Sequence, residues 1–179
     1  MDTLEKFNTA QINVINNSVA MAEELVSEYY KMSASQWLHR RYDVKTLADL
    51  RPDEIVRGPF AQIIRYKGQR KDSHLGSSTY DLYKICLQDH AILSVLKQFS
   101  EIKLFSFTLY IITHELIHIV RFSKFLQSFD ASNEETMLEE ARVHEITRDI
   151  LLDARISGME NVLAFYKSWL KPIEELQKR

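Results

Sequence analysis

Between residues 4 and 31 the apolar positions Leu4, Phe7, Ile15, Val19, Ala22, Val26 and Tyr29 recur at helical spacing, which predicts an amphipathic helix. Asp2 or Thr3 is a candidate cap. Asn8, Asn13, Asn16 and Asn17 lower helix propensity, so the helix can start later than residue 4. The pattern then loosens. Trp37 and Leu38 suggest a further turn, Leu47 and Leu50 a short helix ending before Pro52, and FAQIIRY at 60–66 a strand. The polar stretch KGQRKDSHLGSS at 67–78 reads as an exposed loop able to act as a flap.

Helical spacing returns from Ser78. One helix is expected over 80–99, with Leu82, Ile85, Cys86, Leu93 and Leu96 facing the core, and a second over 102–129, the most apolar part of the chain. A third is expected from Glu134 to about Ile156. Ser132 or Asn133 would cap it, and Glu134 and Glu135 suit its first turn. After a Ser157-Gly158 turn, apolar residues at 159, 162, 163, 166, 170 and 173 predict a closing helix that Pro172 should kink or end. The fold expected is therefore mainly α, a single helical domain over residues 1–179 with little or no β-sheet. Four glycines and three prolines agree with long helices and few turns.

The length suits one domain with a real core. A formal charge of −2 shows no basic excess for nucleic acid, and no apolar run reaches the length of a membrane span. Cys86 is the single cysteine, so no internal disulfide can form. MDTLEKFN lacks the basic start and apolar stretch of a signal peptide. A cytoplasmic protein is expected, with no nucleic-acid or membrane partner.

Candidate chemistry sits where the chain is most apolar. THELIHIVR at 113–121 places His114, Glu115 and His118 between Ile111-Ile112 and Ile119-Val120. On a helix His114 and His118 face one side and can converge on one metal ion, with Glu115 beside them to hold a metal-bound water and take its proton. The alternative is a packed helix whose histidines donate to carbonyls while Glu115 pairs with Arg121. A metal offsets the cost of burying these groups. A third ligand must come from elsewhere, and EEARVHEITRD at 139–149 supplies the best candidates, Glu140 and His144 sharing a face.

HExxH at 114–118, followed by a glutamate about twenty residues on in a helical stretch, resembles the glutamate-type zincin metallopeptidases, the gluzincins. The likeness covers residues 110 to 152. It implies a zinc ion held by His114, His118 and Glu140, with Glu115 activating water for hydrolysis of a peptide or small amide. Glu139 and His144 remain open as the third ligand. His144 is also a candidate catalytic residue, stabilising a developing oxyanion or orienting a ligand. Zincins lay a small sheet over the active-site helix, and only 60–66 reads as strand here.

Other readings stand beside this one. Glu115-Leu-Ile-His118 is also the E-x-x-H unit of ferritin-like di-iron bundles, for which Glu23, Glu24 or Glu28 could supply carboxylates, although a second such unit is missing. A non-catalytic helical or metal-binding domain is the third, with the first helix as a homodimer surface. Tyr110 shares the face of His114, and Arg142 and Arg148 are either salt-bridge partners or substrate contacts. His39, His74 and His90 are isolated, and Cys86 reads as a small buried apolar residue.

Overall fold

The computed structural model describes residues 3–33, 42–69, 79–124 and 126–177. The elements in chain order are α1 (Thr9–Tyr29), β1 (Tyr42–Lys45), β2 (Ala61–Gln69), β3 (Thr79–Leu87), α2 (Asp89–Gln98), α3 (Leu104–Ser123), α4 (Asn133–Ala154) and α5 (Met159–Gln177), with two short 3-10 turns at Leu47–Asp49 and Pro52–Glu54.

Among the described residues five helices dominate, but the expectation of little or no β-sheet is wrong. β1, β3 and β2 form a mixed three-stranded sheet in that order, β1 parallel and β2 antiparallel to the central β3. The error has a physical origin. At its C-terminal end the central strand is covered on both faces, so Ile85, Cys86 and Leu87 are all buried in succession and lack the alternation that marks a half-exposed strand. The expected helix over 80–99 is in fact β3 followed by α2. The strand expected at 60–66 is present as Ala61–Gln69, so 67–69 belong to β2. The rest of the expected loop, with His74, and Trp37, Leu38 and His39 lie outside the described residues.

Helix boundaries follow local chemistry. α1 begins after Asn8, whose Oδ1 accepts from Gln11 N at 2.9 Å while Gln11 Oε1 accepts from Asn8 N at 2.9 Å, a reciprocal capping box. α4 is capped in the same way by Ser132 and Glu135. α3 ends at Ser123 rather than 129, and α5 continues past position 172 to Gln177.

α3 is the axis of the molecule. Every residue from Ser106 to Arg121 is buried except Glu115, which is half-buried. A helix apolar nearly all round must be covered on all sides. Here α1, α4, α5 and the sheet do so. α1 approaches closely through small residues, and Ser18 Oγ lies 2.8 Å from Thr108 Oγ1. Two buried carboxylates staple the loops to this core. Asp89 accepts from Phe7 N and Leu47 N at 2.9 Å each. Glu54 accepts from Lys84 Nζ at 2.7 Å, Tyr66 Oη at 2.8 Å and Arg51 N at 2.9 Å. Among the described residues no helix is long and apolar enough to cross a membrane.

Candidate metal centre

α3 and α4 run antiparallel, joined by residues 124–132. Tyr110, His114, His118 and Arg121 form one stripe along α3, and α4 meets it with His144, Glu140 and Glu139 in reverse order. Three polar rungs result. Tyr110 Oη lies 2.7 Å from His144 Nδ1. Glu140 meets both motif histidines. Arg121 Nε donates to Glu139 Oε1.

The middle rung is the candidate site. His118 Nε2 is 2.8 Å from Glu140 Oε1, His114 Nε2 is 3.2 Å from Glu140 Oε2, and the two Nε2 atoms are 3.1 Å apart. Two imidazole nitrogens aimed at each other and at a carboxylate need a proton or a cation between them. Zinc bonds of about 2.0–2.2 Å in a tetrahedron set ligand atoms about 3.3–3.5 Å apart. The observed separations need only slight expansion to admit the ion, so the donor set fits a metal. His114, His118 and Glu140 form the group among the described residues that could hold one.

Electrostatics agree with this geometry. Burial opposes charge on Glu140, but hydrogen bonds and charge from His114 and His118 outweigh it and hold the carboxyl far below its usual range. Burial also works against a charged His118, and contact with Glu140 overrides it and raises the imidazole pKa. His118 Nδ1 is 3.0 Å from Gln127 Oε1. An Nδ1–H donated to that carbonyl leaves the Nε2 lone pair free for a metal. His114 Nδ1 is buried without a hydrogen-bond partner among the described residues.

These groups open on a cavity of about 680 Å³. His114, Glu115, His118, Glu140 and His144 line it, with Phe60, Ala61 and Ile63 from β2 and its lead-in, Phe122 from α3, Gln127 and Phe129 from the α3–α4 connection, and Tyr166 from α5. Burial pushes the Glu115 carboxyl pKa up, opposed by the neighbouring histidines. Arg121, the pairing partner considered for Glu115, is committed to Glu139. His144 Nε2 is 3.7 Å from Glu140 Oε2. Its pKa is pushed down to about 3, by burial first and then by His114, so the ring is neutral. If Tyr110 donates to Nδ1, Nε2 carries the hydrogen and faces the cavity.

The structure therefore brings together Tyr110, His114, Glu115, His118, Glu140 and His144 and separates Glu139 from Glu140. Arg142 is exposed, 3.7 Å from Glu139, and Arg148 is exposed without an ion pair among the described residues. Glu23, Glu24 and Glu28 line a different hollow, on α1 with Ser27 and Lys31, so they bring no carboxylate to the histidines as a di-iron bundle requires. Gln127, Phe129, Arg121 and Tyr166 were not legible as site residues. Gln127 and Phe129 lie in an irregular connection, and Arg121 and Tyr166 look like ordinary helix residues until α4 and α5 fold onto α3. Comparison with protein-family models, with curated proteins and with solved structures finds no match.

Proposed function

We propose that this chain is a single-zinc hydrolase of the zincin type, cleaving an amide bond in a peptide or small amide. The observation that carries this reading is the convergence of His114 Nε2, His118 Nε2 and Glu140 within hydrogen-bonding distance of one another, at the wall of a cavity that Glu115 also lines. His114, His118 and Glu140 would hold the ion, leaving one position open toward the cavity. When bound, zinc would polarise the substrate carbonyl and lower the pKa of its water to about 7.

The chain's own groups account for the remaining chemistry. Glu115 takes a proton from the attacking water and delivers it to the leaving nitrogen. A carboxyl whose pKa is raised by burial is better matched to that exchange than an exposed one. His144, neutral and held at Nδ1 by Tyr110, donates from Nε2 toward the oxygen that gains charge. Phe60, Ile63, Phe122 and Phe129 favour a substrate with a bulky apolar group. β2 is an edge strand of the sheet and contributes Ala61 and Ile63 to the cavity wall, which suits an extended peptide pairing along it.

The test begins with metal analysis of protein purified without added metal. One zinc per chain is expected; two irons per chain, or no metal, would sink the reading. Glu115→Gln should retain the zinc and lose at least about a hundredfold in amide hydrolysis. Loss of zinc in that variant would instead mean that Glu115 is not the base.

A further inference from the structure

The chain places two glutamates side by side on α4, and only one meets the histidines. Consecutive helical side chains diverge by about 100°, so which of the two glutamates meets the histidines is set by the rotation of α4 about its axis. Arg121 and Glu139 are buried, at 7% and 9% exposure. Arg121 stands three residues beyond His118, about one turn along α3, and its Nε donates to Glu139 Oε1. A buried ion pair adds little stability over apolar residues of similar volume, and its best-attested use is to specify register.

We infer that the Arg121–Glu139 pair is a positioning device for the metal centre: it withdraws Glu139 from the imidazoles and fixes the rotation of α4 that presents Glu140 to them. This rests on the proposed zinc site and adds to it two residues that touch neither metal nor substrate.

The test separates positioning from simple stabilisation. Replacing both partners, R121M with E139L, removes the charges and keeps the volume, and such replacements are often neutral or stabilising. The metal-free double variant should therefore keep wild-type helicity and melting temperature. Its zinc affinity should fall about ten- to a hundredfold, and its visible spectrum with cobalt(II) should differ from wild type. E139Q keeps an oxygen for Arg121 to bond, so it should bind zinc within about threefold of wild type, less than the loss seen on removing such outer partners. A folded double variant with wild-type affinity and cobalt spectrum overturns the inference, leaving the zinc reading intact. Should the double variant not fold, E139Q decides: loss of zinc there would make Glu139 a ligand itself and equally overturn it. A wild-type chain that binds neither zinc nor cobalt overturns both proposals.

Discussion

Tyr110 Oη and His144 Nδ1 lie 2.7 Å apart in the buried interface of α3 and α4. Tyr166 stacks on Tyr110 with ring centroids 3.9 Å apart, so the phenol has little freedom to turn away. Burial pushes the Tyr110 pKa well above that of a free phenol, so it stays a hydrogen-bond donor at ordinary pH. Removing that donor in Tyr110→Phe should leave zinc content unchanged and lower the hydrolysis rate about two- to tenfold, the worth of one hydrogen bond of about 0.5–1.5 kcal/mol. Steady-state kinetics beside metal analysis reads both; a loss of zinc would place Tyr110 among the supports of the metal instead.

Gln127 gives a second prediction. Its Oε1 is the partner of His118 Nδ1, and it sits in the α3–α4 connection. Gln127→Leu should weaken zinc binding about ten- to a hundredfold by freeing the ring. Competition with a chelator measures this, and unchanged affinity would show that His118 needs no such support.

Glu54 predicts a response to acid. Its hydrogen bond from Lys84, with those from Arg51 and Tyr66, lowers its carboxyl pKa to about 2. A group depressed in the folded state stabilises above its unfolded pKa and loses that contribution as pH falls through the folded value. Wild type should therefore lose melting temperature between about pH 4.5 and 2, its unfolded and folded pKa values. In Glu54→Gln that slope should be shallower. Parallel slopes in thermal melts across this range would remove Glu54 from the acid response.

Cys86 is fully buried in β3, and desolvation pushes its thiol pKa up to about 11. The thiolate is the reactive form, so a thiol reagent at pH 8 should leave the native protein unmodified and label one cysteine after denaturation. Rapid labelling of the native protein would contradict its placement.

What the sequence by itself determined is local. The four-residue step from His114 to His118 aligns two imidazoles on any α-helix, whatever surrounds it. The Ser132 cap and the Gly158 turn likewise involve neighbours along the chain. Tertiary structure decided the rest, because those choices depend on which surfaces meet. β3 is a strand because β1 and β2 pair with it, while the unbroken burial of Ile85, Cys86 and Leu87 hides the period that would reveal it. Glu140 rather than Glu139 faces the histidines because α4 docks on α3 with Arg121 taking the earlier carboxylate. The cavity exists because β2, the α3–α4 connection and Tyr166 arrive from three separate parts of the chain.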